Sequence, residues 1–167
     1  MNSIYKRRSI RKFLPDPISD QKLMEFVKAG MNAPSAGNQQ PWKFLIITER
    51  QILNKIAELH PYGKMLKEAP SAILVCGDLL LETHKGYWMV DCAAATQNIL
   101  LEIVNHSFGA CWLGVYPRPE RMKSLSEMFE LPQNIVPFSL IAVGKPNEIK
   151  EDKNIFELER IKFNSWK

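Results

Sequence analysis

Residues 6 to 13 read Lys-Arg-Arg-Ser-Ile-Arg-Lys-Phe, which places Arg7, Arg8, Ser9 and Arg11 within five positions of one another. An arginine guanidinium presents several N–H donors in a rigid fork that matches phosphate oxygens, and a neighbouring serine hydroxyl adds a further donor. The cluster therefore indicates an anion site, with a phosphate-bearing ligand as the working hypothesis. The alternative is a solvated basic N-terminal arm, because short runs of lysine and arginine often bind nothing specific.

A second polar segment lies further along the chain, where residues 33 to 42 read Ala-Pro-Ser-Ala-Gly-Asn-Gln-Gln-Pro-Trp. It offers many hydrogen-bonding groups with little bulk, and it leads directly into an apolar stretch that begins at Lys43. As a purely structural element it is the end of a helix, a turn and a proline stop. As a binding segment it would use Ser35 and Asn38 to address the edge of a planar heterocycle.

Hydrophobic spacing divides the rest of the chain into helices and strands. We expect a short helix over residues 2 to 9, followed by an extended turn that Pro15 and Pro17 impose. Ser19 is a good N-cap for a second helix, which Gly30 and Pro34 interrupt. Further helices are expected at residues 52 to 59, 87 to 106 and 119 to 129, and strands at 43 to 48, 72 to 76, 109 to 115 and 138 to 143.

The expected helix over residues 87 to 106 is apolar nearly all round. One face is formed by Trp88, Cys92, Ala95, Ile99 and Ile103, and the opposite side carries Val90, Ala93 and Ala94. Such a helix needs cover on more than one side, and 167 residues give limited cover, so we expect a dimer. The chain ends in an aromatic-containing tail, and we expect residues 150 to 167 to pack on the partner subunit.

Composition limits the class of protein. The 167 residues fit one domain, residues 1 to 167, and the net charge of +4 is too small and dispersed to indicate a nucleic-acid partner. Cys76, Cys92 and Cys111 stand singly in apolar stretches, so we expect small core residues and no metal site. The first residues lack a secretory signal, and no apolar run has the length of a membrane span, so we expect a cytoplasmic protein without a membrane partner.

In order and spacing, the segments at 7 to 13 and 33 to 42 closely resemble those of the nitroreductase family of FMN-dependent oxidoreductases. The resemblance covers nearly the whole chain and includes the helix from Asp91 to Leu101, Gly-Ala-Cys-Trp-Leu-Gly at 109 to 114 and Ala-Val-Gly-Lys-Pro at 142 to 146. It implies an α+β fold with a central mixed, mostly antiparallel sheet flanked by helices, in an intertwined homodimer. It also implies FMN as cofactor and NADH or NADPH as co-substrate.

The resemblance assigns roles to the N-terminal cluster. Arg7, Arg8, Ser9 and Arg11 fall where the family holds the FMN phosphate, the ribityl chain and the pyrimidine edge, in agreement with the donor chemistry above. Arg11 would lie near the N1–O2 edge of the flavin, where a positive charge stabilises the anionic reduced form.

Two further segments complete the implied flavin site. Three residues match the loop that the partner subunit places over the same flavin: Pro34, Ser35 and Asn38. Each site would therefore be built from two chains. Leu113 and Gly114, with Trp112 beside them, match the backbone segment that approaches the flavin near its reactive N5, where a glycine suits a close approach.

The implied mechanism is ping-pong. A reduced nicotinamide delivers hydride to N5 of FMN and leaves, and a nitroaromatic, quinone or flavin-like acceptor then takes the reducing equivalents from the same face. Because the flavin carries the chemistry, no side chain is expected to act as nucleophile or general base, and we name no catalytic residue. His60, His84 and His106 are expected to be loop or helix-end residues.

The sequence departs from the family pattern at two places. Asn154 stands where an arginine usually completes the phosphate clamp, which weakens the grip on the phosphate unless Lys145 or Lys153 compensates. The segment from Leu80 to Tyr87 is all that remains of the longer insertion that shapes the acceptor pocket in larger members. The acceptor site is then either open or unusually narrow.

Other functions stay open on the same fold, since a fold does not fix a reaction. One is a flavin-dependent reductive dehalogenase or flavin-modifying enzyme, and another is a non-catalytic flavin-binding protein. The nicotinamide preference, the physiological acceptor and the number of electrons transferred are not readable from the sequence, which contains no G-x-G-x-x-G motif.

Overall fold

The computed structural model describes residues 3 to 166 of the chain. Its four strands are β1 (Trp42–Ile47), β2 (Ser71–Asp78), β3 (Gly109–Gly114) and β4 (Ile135–Gly144), and they form one antiparallel sheet in the order β1-β2-β4-β3. The α-helices in the described residues are α1 (Ser3–Lys6), α2 (Asp20–Met31), α3 (Arg50–Leu59), α4 (Trp88–Asn105) and α5 (Pro119–Met128). The predicted α+β class is confirmed. Within residues 3 to 166, parallel pairing is limited to the bridge between Ser9 and Ala110.

The core lies on both faces of the sheet, because its two central strands are buried almost throughout. Alternate side chains of a strand point to opposite faces, so Leu74 and Cys76 of β2 pack toward α3 and α5. Ile73 and Val75 of the same strand pack toward α2 and α4. The molecule therefore has three layers, with the sheet between two pairs of helices.

Helices α2 and α4 form one outer layer, and α2 begins where the sequence predicts it. The Ser19 hydroxyl accepts a hydrogen bond from the Lys22 N–H at 3.3 Å, which confirms the predicted N-cap. Helix α2 continues through Gly30 to Met31, past the predicted break, and a Cβ at Gly30 would lie 2.9 Å from the Ile99 side chain of α4. The helices thus pack closely there, while Val90 on the far side of α4 remains 58% exposed.

The predicted helix over residues 2 to 9 is wrong beyond Lys6, where α1 ends; residue 2 itself lies outside the described residues. The chain is extended after α1 because Ile10 and Phe13 are buried and hold it against the sheet. The Ile10 N–H donates to the Ala110 carbonyl at 2.9 Å, and a Cβ at Gly109 would lie 2.8 Å from the Ile10 side chain. Tertiary contacts with β3 therefore override the local helical pattern.

Residues 145 to 153, which we call the strap, run antiparallel to the N-terminal segment. Three backbone bonds join them, from the Leu14 N–H to Lys145, from Asn147 to Lys12 and from Lys153 to Tyr5, at 2.9 to 3.0 Å. Beyond the strap, Phe156, Phe163 and Trp166 are 74%, 81% and 82% exposed. Packing of this tail on a partner stays a prediction, and Lys167 lies outside the described residues.

The helices between residues 3 and 166 include none that is long and apolar enough to cross a membrane. In the same residues, no three or more His, Cys, Asp or Glu side chains are grouped as metal ligands would be.

Candidate functional site

Three cationic side chains and one hydroxyl cluster at the start of β3. We call this cluster the cradle, and its residues are Arg7, Ser9, Arg11 and Lys150. The first three are alternate residues of an extended segment, so they share one side of it. All four affect the pKa of the Cys111 thiol. Burial raises this pKa, and the charges of Arg11, Lys150 and Arg7 and a hydrogen bond with Ser9 oppose that rise. The cradle therefore concentrates three positive charges and a hydroxyl at one edge of the sheet.

Lys150 joins the cradle through the strap. Its Nζ donates to the Ser9 carbonyl at 2.6 Å and lies 3.4 Å from the Glu148 carboxylate. Glu148 in turn accepts from the backbone N–H groups of Arg11 and Lys12, and the Arg11 bond is the main reason that the pKa of Glu148 is lowered. The sequence gives no sign of the role of Lys150, because only the antiparallel strap brings it to the N-terminal segment.

The other predicted phosphate-binding side chains lie elsewhere. The Arg8 guanidinium donates to the Glu151 carbonyl of the strap. The Lys145 ammonium pairs with Asp16 at 3.3 Å, and Lys153 is exposed, with its backbone N–H on Tyr5. The roles assigned to these three residues stay predictions.

The outer edge of β3 continues from the cradle to the segment predicted to face the flavin. Leu113 is buried, Trp112 is half-buried with its ring centroid 6.0 Å from that of Phe138, and Gly114 is exposed. A Cβ at Gly114 would meet nothing nearer than an Arg121 nitrogen at 4.0 Å. Ala110 and Gly114 are four residue steps apart along β3, about 13 Å. The edge therefore leaves room for a second molecule at that distance from the cradle.

His60 follows α3 directly, as expected for a helix-end residue, but it also reaches this edge. It is 4% exposed, and its Nε2 lies 3.0 Å from the Gly114 carbonyl oxygen. Burial is the main reason that its pKa is lowered. Its polar sequence context gave no sign of this contact, because the fold alone brings the end of α3 to the end of β3.

The segment from residue 33 to 41, which we call the amide loop, is held by a buried carboxylate on α4. Asp91 is 3% exposed and accepts from the Ala36 N–H at 3.0 Å and from the Gln39 side chain at 2.6 Å. The Ser35 hydroxyl accepts from the Gln40 N–H at 3.0 Å. Hydrogen bonds to Asp91 of α4 therefore hold the amide loop in place, and Pro34 and Asn38 are exposed.

The segment Leu80 to Tyr87 lies against the amide loop, since the Gln39 side-chain oxygen accepts from the His84 N–H at 2.8 Å. Behind it, the Tyr116 ring packs edge-on against Trp88 at a centroid distance of 5.0 Å and stacks on Phe138 at 6.1 Å. The segment from Leu80 to Tyr87 therefore supports the amide loop.

The cradle and the amide loop lie at opposite corners of the sheet. The cradle borders β3 at Ala110, and the loop precedes β1 at Trp42 on the other edge. Three strand spacings and six residue steps separate these corners, about 25 Å. One chain therefore does not bring the two predicted halves of the flavin site together.

The sequence model of the nitroreductase family matches residues 4–61 and 58–145 of this chain. The chain belongs to the nitroreductase family. It is 44% identical over 170 residues to a protein of Archaeoglobus fulgidus provisionally named NADH dehydrogenase/NAD(P)H nitroreductase, covering 99% of this chain and 98% of that protein.

Two solved structures are similar in fold and sequence. A provisionally named NADH oxidase from Clostridium acetobutylicum has a TM-score of 0.95 and 40% identity, covering 99% of this chain and 100% of that chain. A provisionally named nitroreductase from Desulfovibrio desulfuricans, solved in complex with FMN, has a TM-score of 0.84 and 28% identity, covering 99% of this chain and 96% of that chain. These similarities confirm the predicted nitroreductase fold.

The nitroreductase-family match includes the N-terminal part of the cradle, the amide loop and β3, and it ends at Lys145. Lys150 and most of the strap lie beyond the matched residues. The lysine that joins the cradle is therefore a feature of this chain that the family match does not cover.

Proposed function

We propose that this nitroreductase-family chain is a cytoplasmic, homodimeric, FMN-dependent oxidoreductase. It takes reducing equivalents from NADH or NADPH and passes them in ping-pong order to a nitroaromatic, quinone or flavin-like acceptor. The observation that carries the proposal is the cradle on the same open edge of β3 as Gly114. The cytoplasm also keeps cysteines reduced, which suits the free thiols of Cys76, Cys92 and Cys111.

The donor set of this edge fits a flavin mononucleotide. Phosphate and flavin-ring oxygens require charged and hydroxyl donors, which Arg7, Arg11, Lys150 and Ser9 supply. A planar ring requires a surface without a protruding side chain, and the space around Gly114 meets that need. The FMN complex of the Desulfovibrio desulfuricans relative supports the same cofactor.

A dimer would unite the two halves of the site. A two-fold axis can bring the cradle of one chain to the amide loop of the other, and by symmetry it creates the second site as well. The exposed apolar residues Met24, Met31 and Val90 on α2 and α4 support an interface on this layer. The exposed aromatic side chains of the tail support its packing on the partner.

When bound, FMN supplies the two-electron chemistry that links the nicotinamide to the acceptor. The cradle holds the phosphate, and the Arg11 charge favours a negative charge on the ligand. Gly114 allows close approach to the backbone of β3. Cys111 remains a protonated thiol at neutral pH because burial raises its pKa, so it adds no nucleophile to the site.

The test is an absorbance spectrum of the gel-filtered protein, followed anaerobically during titration with NADH and then NADPH. We expect flavin bands that co-elute at the size of a dimer and bleach with at least one nucleotide. A protein that lacks flavin and does not bind added FMN would contradict the proposal.

The same titration separates the alternatives. Flavin bands that neither nucleotide bleaches would favour a non-catalytic flavin-binding protein. Reoxidation of the bleached flavin by halogenated aromatics with release of halide, but not by nitroaromatics or quinones, would favour a reductive dehalogenase.

A further inference from the structure

Two side chains from different helical elements donate to one carbonyl at the end of β3. His60 Nε2 lies 3.0 Å from the Gly114 oxygen, and Arg121 Nη1 lies 2.7 Å from it. His60 follows α3 and Arg121 belongs to α5, so the carbonyl ties both helices to the edge strand.

The direction of this carbonyl follows from the pairing of β3. The Ala110 carbonyl accepts from the Ile10 N–H, so the polar groups of Ala110 point away from β4. In an antiparallel strand the N–H and C=O of one residue point to the same side, and every second residue repeats that direction. The N–H of Gly114, like its carbonyl, therefore faces the outer edge.

The two donors are themselves held in place. His60 Nδ1 accepts from the Tyr62 N–H at 3.2 Å, which assigns the ring proton to Nε2, the atom that faces the Gly114 carbonyl. The Arg121 guanidinium lies over the Tyr62 ring at 5.5 Å from its centroid. Tyr62 thus orients both donors, and the burial of His60 favours its neutral form with that tautomer.

Gly114 needs such an anchor. It has no side chain, it is the last residue of β3 and it is exposed, and the nearest atom to its Cβ position beyond its chain neighbours is an Arg121 nitrogen at 4.0 Å. Glycine has more backbone freedom than any other residue, so two hydrogen bonds to its carbonyl restrict rotation about its backbone bonds and hold the end of β3 in the extended conformation that keeps the Gly114 N–H at the outer edge.

We propose that His60 and Arg121 are positioning residues that hold the Gly114 carbonyl and thereby direct the Gly114 N–H at the flavin. This inference rests on the proposed function. A backbone N–H directed at N5 favours oxidised flavin, because N5 carries a lone pair when oxidised and a proton when reduced. Loss of the anchor is therefore expected to raise the flavin reduction potential.

The test compares variants that keep or remove each donor. His60→Gln and Arg121→Lys keep an N–H donor, whereas His60→Leu and Arg121→Met remove it. Ser124→Ala is the matched control, because Ser124 lines a crevice together with His60 and Arg121 but donates to the Glu120 carbonyl instead. Each protein is loaded with FMN, and its midpoint potential is measured by equilibration with a reference dye. The Gly114 amide resonance is followed by NMR in the FMN-free protein.

We expect the Leu and Met variants to change the ratio of affinities for oxidised and reduced FMN about tenfold, which is about 30 mV for a two-electron couple. The Gly114 resonance should broaden or shift in these variants, while the Gln, Lys and Ala variants stay close to the parent. Arg121→Met changes a partly exposed side chain, so it tests the inference even if His60→Leu does not fold.

Unchanged potentials and an unchanged Gly114 resonance in FMN-binding Leu and Met variants would overturn this inference alone. Failure of the parent protein to bind FMN would overturn both the inference and the proposed function.

Discussion

Single residues of the cradle carry most of the expected affinity for a phosphate. Arg7, Arg11 and Lys150 place three positive charges near Cys111, and the Ser9 hydroxyl lies among them. A hydrogen bond from a charged donor contributes about 1.5 to 3 kcal/mol, far more than an exposed ion pair elsewhere on the surface.

Arg7→Ala is therefore expected to weaken FMN binding about ten- to a hundredfold. Lys123→Ala removes the same charge from the exposed surface of α5 and should leave the dissociation constant nearly unchanged. Both constants are measured by quenching of flavin fluorescence at one fixed ionic strength, because salt screens such contacts. An Arg7→Ala protein that binds FMN as tightly as the control would show that Arg7 does not contact the FMN.

At the scale of single residues, the sequence predicts shared roles for residues that are close together along the chain. Arg7, Ser9 and Arg11 stand at alternate positions, so their spacing already indicates a shared role. Lys150, Asp91 and His60 were missed because their partners lie 141, 55 and 54 positions away along the chain. Such contacts depend on the fold, and a single sequence carries no signal of them.

The strands and helices show where local patterns suffice and where they fail. The continuous apolar stretches at β2 and β4 predict buried strands, and Ser19 predicts the start of α2. The extended segment after α1 was mistaken for a helix because its conformation depends on Ile10, Phe13 and the strap. The Glu148 carboxylate links these two segments by accepting from the backbone N–H groups of Arg11 and Lys12.

Glu148→Gln should lower the free energy of unfolding near neutral pH, because the carboxylate accepts from two backbone N–H groups. The pKa of Glu148 is lowered from 4.5 in the folded protein, mainly by the Arg11 N–H. The stabilisation is therefore fully present above pH 4.5 and is lost as the pH falls through the lower folded pKa.

Urea unfolding of the parent protein and the Glu148→Gln variant between pH 7 and pH 3 measures the difference in their free energies of unfolding. This difference should shrink below pH 4.5. Glu58→Gln, an exposed carboxylate on α3, is the control. If the free energies of unfolding of the parent and the Glu148→Gln variant differ by the same amount at every pH, the charge of Glu148 has no part in holding the strap.

At the scale of the whole molecule, the decisive feature is the distance of about 25 Å between the cradle and the amide loop. The sequence predicted a dimer from the apolar surface of α4, and the arrangement of the two corners gives that dimer a function. Neither corner alone surrounds a ligand, so flavin binding and dimerisation should be lost together.

The most direct measurement is the flavin content of a mixed dimer. An Arg7→Ala chain and an Asn38→Glu chain, each with a different affinity tag, are produced together, and dimers that carry both tags are isolated and gel-filtered. One of their sites combines both altered halves. The other combines an intact cradle from one chain with an intact amide loop from the other.

Both homodimers should retain little FMN, whereas the mixed dimer should retain it in about half of its sites and bleach there with NADH or NADPH. If each site were built within one chain, every site of the mixed dimer would carry one of the two changes. A mixed dimer with no more flavin than its parents would therefore contradict a flavin site shared between two chains.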